Sequence, residues 1–202
     1  MKIGGLNEFS LSDYPCHVAA VVFTQGCNFR CPFCHNGSLI PGDVPESLLI
    51  PEEKVFDFLK DRNNQLDGVV ITGGEPTIQP DLPEFIHRII AMELLVKLDT
   101  NGSLPEVLCK LMKDKLIDFI AMDIKAPLDI YDRLTGVQTS ISRIKESIEL
   151  IARSGIAHEF RTTVVEPLLL PEDVLSIRKL IPPGSMYRLQ KFRPEHAFAP
   201  SL

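Results

Sequence analysis

Short apolar, β-branched runs that recur between amphipathic stripes are what most narrow the fold of this 202-residue chain. Residues 17–24 (HVAAVVFT) form the first run. It is too short for a typical helix and nearly uninterrupted by polar residues, so it reads as a strand buried on both faces. Five similar runs follow, at 68–72 (GVVIT), 94–99 (LLVKLD), 118–124 (DFIAMDI), 159–165 (EFRTTVV) and 186–192 (MYRLQKF). Between them lie helical patterns. Leu104, Val107, Leu108, Leu111 and Met112 make one stripe of an amphipathic helix, with Ser103 and Glu106 spaced as a capping box at its start. Ile141, Ile144, Ile148 and Ile151 make a second, stopped by Ser154-Gly155. Three more are expected from Val55, Phe56 and Leu59 after Pro51, from 85–90 after Pro83, and from Val174, Ile177 and Ile181 after Pro171.

Six strands alternating with five helices predict βαβ units and a parallel sheet. Right-handed crossovers then place the helices on the outer face of a curled sheet. No composition break marks a second domain, so residues 1–202 are expected to form one. The net charge of −6 argues against a nucleic-acid or anionic-membrane partner, since phosphate-tracking surfaces are usually basic. No apolar run is long enough to span a bilayer and the first residues lack a signal peptide's apolar core, so the expected location is the cytoplasm. Five cysteines, an odd number without an export signal, favour metal or redox chemistry over a disulfide framework.

Each distinctive cluster follows the C-terminal end of a predicted strand. Cys27, Cys31 and Cys34 follow the first, and Gly73-Gly74-Glu75-Pro76 the second. Asp99-Thr100-Asn101-Gly102 follow the third, and the fourth ends in Asp123-Ile124-Lys125. The fifth carries Arg161 and runs to Glu166-Pro167; the sixth runs into Lys191-Phe192-Arg193-Pro194. A parallel sheet brings all of these to one rim, where such folds carry their sites. Singly, Gly-Gly and Asn-Gly are ordinary turns, and strand-end aspartates are caps or solvated groups. As a set they can admit a ligand close to the backbone and offer oxygen ligands to a cation or acceptors to ribose hydroxyls.

Three thiolates at spacings of four and three can hold a metal centre and leave one position free. Cys31-Pro32-Phe33-Cys34 alone has the dithiol spacing of thioredoxin-like proteins, which leaves Cys27 unexplained. Adding His35 would close a zinc site, but adjacent Cys34 and His35 rarely reach one tetrahedral ion without strain. An iron–sulfur cluster ranks first, since full ligation takes four protein ligands and three leave one iron open. Cys16 and Cys109 stand apart and read as free packing thiols.

CNFRCPFC, with the aromatic before its third cysteine, resembles the CxxxCxxC motif of radical S-adenosylmethionine (radical SAM) enzymes, and GGEP resembles their SAM-binding motif. The resemblance implies an α/β fold, a partial (β/α)6 barrel of parallel strands with helices outside. QGCNFRCPFCHN, ITGGEP, LDTNG, MDIKAP, YDRLTG and FRTTVVEP further resemble the activating enzymes of glycyl radical proteins, most of all those of anaerobic ribonucleoside-triphosphate reductase. By this resemblance Cys27, Cys31 and Cys34 bind a [4Fe–4S] cluster whose open iron chelates SAM. Phe33, His35 and Asn36 lie near adenine, and Gly73 and Gly74, with Glu75 and Pro76, near the SAM amino group. Lys125 lies near SAM or substrate, and Asp99, Thr100, Asp123 and the Ala121 carbonyl hold a monovalent cation. Arg161 meets SAM or the partner, or serves as an ion-paired structural residue. The implied partners are a glycyl radical protein and, as electron donor, reduced flavodoxin or ferredoxin. The alternatives are a small-molecule enzyme resembling 7-carboxy-7-deazaguanine synthase, or a zinc or dithiol module. Two departures stand out: no cysteine cluster follows Cys34, and Cys16 sits where relatives often have glycine.

Overall fold

The computed structural model describes residues 1–193, so Pro194, in the last of the rim clusters, lies outside the described residues. They form a sheet of seven strands in sequential order: β1 (Ile3–Ser10), β2 (Ala19–Thr24), β3 (Gly68–Gly73), β4 (Leu95–Thr100), β5 (Phe119–Asp123), β6 (Ala157–Val164) and β7 (Met186–Lys191). From β2 to β7 every neighbouring pair is parallel. The α-helices fill the crossovers: α1 (Glu52–Arg62), α2 (Leu82–Ile90), α3 (Pro105–Lys113), α4 (Tyr131–Thr135), α5 (Ile141–Arg153) and α6 (Pro171–Arg178). Sequential order means that each crossover steps the same way, which keeps the helices on one face. The fold is α/β, as the alternation predicts.

The period-2 geometry of the strands explains why the runs are apolar throughout. Alternate residues such as Ala20, Val22, Val69, Ile71, Val96, Leu98, Ile120, Met122 and Phe160 pack in one cluster with helix residues including Leu59, Phe85, Ile86, Leu108, Ile144 and Ile148. The residues between them face the other way. Val21 and Val70 join Ala19, Tyr14, Phe23, Leu95 and Phe119 in a smaller cluster inside the curl. The Tyr14 ring lies edge-on to His17 and against Phe119, which fills the end of the curl where β5 begins.

Three features differ from the sequence expectation. β1 is an additional strand, antiparallel to β2, whose sequence IGGLNEFS carries two glycines and no sustained apolar run. The five-residue α4 is additional too, too short to show a stripe. The Ser103–Glu106 capping box does not form. Leu104 is the N-cap of α3 and makes no side-chain cap bond, the Ser103 hydroxyl accepts from the Asn28 amide at 2.7 Å, and Glu106 pairs with Arg143. Segment 37–50 remains a loop with two short 3₁₀ turns, as expected.

Candidate active site

The cysteine loop leaves β2 through Gln25-Gly26 and is tied on four sides. Backbone bonds run from Gly26 N to Leu39 O (2.8 Å) and from Cys27 N to Ile40 O (3.0 Å), and the buried Gln25 amide donates to the Ser38 and Pro41 carbonyls. Glu75 N donates to Gly26 O at 2.8 Å, joining the loop to the end of β3. Asn101 Nδ2 donates to Asn28 Oδ1 at 2.8 Å, joining it to the end of β4. Arg30 N donates to Thr135 O at 2.7 Å, joining it to the last turn of α4. Phe29 and Phe33 are buried in the main core and anchor the loop from below. Cys34 N bonds Cys31 O in a turn, and no α-helix follows before Glu52, unlike a dithiol motif opening a helix.

The Gly73-Gly74 pair turns out to accommodate the protein's own backbone. Gly73 has φ +116°, and a Cβ on Gly74 would lie 2.0 Å from Gly26 O. Glu75 is almost fully buried and acts as a knot. Its Oε1 accepts from Thr77 N (3.1 Å), the Thr77 hydroxyl (2.5 Å) and the Thr100 hydroxyl (2.8 Å), and its Oε2 from Asn101 N (2.7 Å). Burial raises this carboxyl's pKa, while all four donors favour the ionised form.

Across the concave face runs a chain of charges. Asp99 pairs with Lys97 through Oδ1 and with Arg161 Nη1 through Oδ2 (3.1 Å). Asp123 pairs with Arg161 Nε through Oδ1 (2.8 Å) and with Lys125 Nζ through Oδ2 (3.1 Å). Glu159 stands 4.0 Å from Arg161 and 3.1 Å from Arg188. Burial works against the Asp123 carboxylate, but Arg161 and Lys125 outweigh it and hold that carboxyl well below the usual range. Burial likewise opposes the Lys125 charge, and Asp123 more than compensates, holding it above the usual lysine range.

These groups meet in a cleft of about 350 Å³. Cys27, Cys31, Cys34, Phe33, His35, Asn36, Gly73, Gly74, Glu75, Asp99, Thr100, Asp123, Lys125 and Arg161 all line it. Pro76 and Ala121 are buried and do not. Asn28 and Asn101 fall within the motifs, but their mutual bond does not show in the sequence, and Asp13 and Gln190 from β7 line the cleft without a role expected from it. Lys97 escapes a motif reading, because a lysine inside an apolar run looks like an interruption; its alternation with Asp99 on β4 is the signal that puts both on the concave face. His35 stacks on Phe192 with centroids 5.5 Å apart, linking the cysteine loop to the chain just beyond β7. Cys16 is exposed and Cys109 lies on α3, both outside the cleft.

Burial pushes the Cys27 thiol up to about 12, with Glu75 adding to the rise. It pushes Cys31 up to about 11, against an opposing Lys125 charge. The donor set fits a multinuclear iron–sulfur centre: three soft sulfurs share one cavity, yet among the described residues no three Cys, His, Asp or Glu side chains converge as ligands of a single ion. The oxygen set expected to hold a monovalent cation fits less well, because every carboxylate oxygen of Asp99 and Asp123 already has a cationic partner.

A curled parallel sheet with three thiols and a cofactor-sized cleft at its strand ends has the layout of β/α enzymes, which carry their sites at that rim. The profile of the Radical SAM superfamily matches residues 21–181. The chain belongs to that superfamily and is an enzyme of that kind, a family that works with a [4Fe–4S] cluster and SAM. Among its relatives, a Methanocaldococcus jannaschii protein named as a candidate glycyl-radical enzyme activating enzyme is 35% identical over 204 residues, covering 97% of this chain and 82% of the relative. A candidate GTP 3′,8-cyclase of Sulfolobus acidocaldarius is 32% identical over 139 residues, covering 67% of this chain and only 43% of the cyclase. The crystal structure of Streptococcus suis SuiB bound to its precursor peptide SuiA superposes with a TM-score of 0.64 at 17% identity, covering 86% of this chain and 38% of SuiB, a likeness of fold alone. No helix among the described residues is long and apolar enough to cross a membrane.

Proposed function

We propose that this chain, as one domain over residues 1–202, is a SAM-dependent activase that installs a glycyl radical on a partner enzyme, anaerobic ribonucleoside-triphosphate reductase being the first candidate. The observation that carries the reading is the convergence of Cys27, Cys31 and Cys34 with the ends of β3, β4, β5 and β6 around one cleft. Similarity to the archaeal protein over nearly the whole chain supports the activase over other radical SAM chemistries.

In this reading Cys27, Cys31 and Cys34 would hold a [4Fe–4S] cluster at the rim of the cleft, beside the space for SAM. When bound, the cluster would supply one-electron reductive cleavage of SAM to methionine and a 5′-deoxyadenosyl radical, the species that would take a hydrogen atom from the partner's glycine and end as 5′-deoxyadenosine. The chain's own residues hold and orient. Gly73 and Gly74 present the end of β3 to the amino-acid half of SAM, and Glu75 with Pro76 fixes that turn. Phe33, His35 and Asn36 flank the adenine side. Lys125, kept protonated by Asp123, faces the sulfur ligands and the carboxylate side of SAM. Burial favours the protonated thiols of Cys27 and Cys31 in the unloaded protein, so loading the centre releases those protons. The electron comes from reduced flavodoxin or ferredoxin, and the enzyme works in an anaerobic cytoplasm.

The similarity to the candidate cyclase supports a second reading, radical chemistry on a small molecule, although this chain spans less than half of that relative. The two separate on one experiment. Reduced, cluster-loaded enzyme is given SAM with and without the reductase. The activase reading expects 5′-deoxyadenosine in a stoichiometric burst together with a radical on the partner. Multiple turnovers consuming an added nucleotide, with no protein radical, support the second reading instead.

A further inference from the structure

We infer that this enzyme takes no monovalent metal ion at the ends of β4 and β5, and that the Arg161 guanidinium, braced by Lys97 and Lys125, supplies the positive charge there. The inference rests on the proposal that SAM occupies the cleft. Its basis is the state of each oxygen that would have to bind the ion. Asp99 offers one oxygen to the Lys97 ammonium and the other to Arg161 Nη1 at 3.1 Å. Asp123 offers one to Arg161 Nε at 2.8 Å and the other to Lys125 Nζ at 3.1 Å. The Thr100 hydroxyl donates to Glu75 at 2.8 Å and accepts from Gly102 N at 3.1 Å. Ala121 sits inside the sheet, in register with Asp99 on one side and Glu159 on the other.

Charge leads to the same conclusion. Lys97, Arg161, Lys125 and Arg188 pair with Asp99, Asp123 and Glu159, so these three carboxylates already meet four cationic side chains without an added ion. An incoming cation would have to displace side chains that are tethered to the same sheet and therefore present at high effective concentration. Arginine suits the role because it stays protonated and its planar fork can bridge two carboxylates at once. Arg161 does so between neighbouring strands, and it lines the cleft. It is a positioning residue: it fixes both aspartates and with them Lys97 and Lys125.

The test compares cluster-loaded enzyme in buffers of equal ionic strength made with potassium, sodium or tetramethylammonium chloride, the last too large to enter such a site. SAM affinity is read by titration calorimetry, and stability by the thermal unfolding midpoint. The wild type is expected to bind SAM equally, within about twofold, in all three, with superimposable midpoints. Arg161→Gln is expected to lose about tenfold or more in SAM affinity in tetramethylammonium and to regain most of it, saturably, in potassium or sodium. A saturable potassium- or sodium-specific gain in wild-type affinity or midpoint overturns the inference, and so does an Arg161→Gln enzyme that loses affinity with no ionic rescue. If Arg161→Gln fails to fold, Lys97→Met and the wild-type comparison still decide. The midpoint does not depend on SAM. Flat wild-type midpoints with no SAM binding in any buffer therefore contradict the functional proposal and not the ion-free site.

Discussion

Glu75 joins two strand ends through one carboxylate that accepts four hydrogen bonds in a buried position. Removing it leaves the Thr77 and Asn101 amides and the Thr100 hydroxyl facing an empty space, so Glu75→Ala should cost about 3 kcal/mol in chemical denaturation. Glu75→Gln keeps the shape but turns one acceptor into a donor aimed at donors, and should cost about half as much. A loss below ~0.5 kcal/mol for Glu75→Ala contradicts the knot. Cys16 is the reverse case. It is exposed and holds φ +64°, a backbone region that disfavours any side chain. Cys16→Gly should therefore raise stability by about 0.5–1 kcal/mol and leave iron content unchanged, and a loss of stability contradicts this. The sequence flags the position only as a departure from glycine; the backbone angle supplies the physical reason.

At the scale of elements, the cysteine loop is held by the ends of β3, β4 and α4 and by segment 37–41, none of which needs a metal. Cys27→Ala, Cys31→Ala and Cys34→Ala should therefore each yield a folded, soluble protein that cannot hold a complete cluster or cleave SAM, checked by iron analysis and 5′-deoxyadenosine formation. Cys109→Ala should retain both. The α4 anchor is testable separately: Gly136 has φ +68° and a Cβ there would lie 2.6 Å from Arg30 O. Gly136→Ala should cost about 1–3 kcal/mol and lower iron retention, although it touches no ligand. Unchanged iron content would show that the loop does not depend on this contact. The inner strands β2 and β3 are legible in the sequence because most of their positions are buried on both faces and apolar, whereas β6 and β7 carry polar and exposed positions and show a weaker pattern. β1 is not legible, because Gly4 and Gly5 interrupt its pattern while Asn7 and Glu8 lie in its exposed half. The Ser103–Glu106 spacing misleads for a nonlocal reason, since Asn28, far away in the chain, takes the Ser103 hydroxyl. The charge chain is half legible: strand ends give Asp99 and Asp123, but only the register of β4, β5 and β6 brings Arg161 between them.

For the whole molecule, sequential strand order explains how residues from Cys27 to Gln190, far apart in the chain, come to surround one cleft, while Glu166 at the expected rim lies outside it. The helices cover one face with the main core, the small Tyr14 cluster fills one end of the curl, and the rim is left for chemistry. The cleft's ~350 Å³ lies at the low end of the range for small-molecule and cofactor sites. The proposal that the partner is a protein can be tested directly by electron paramagnetic resonance. Reduced, cluster-loaded enzyme is mixed anaerobically with SAM and anaerobic ribonucleoside-triphosphate reductase. The predicted result is a doublet from one α-hydrogen on a backbone carbon, with 5′-deoxyadenosine formed in equal amount. Formation of 5′-deoxyadenosine with no protein radical would contradict the activase assignment.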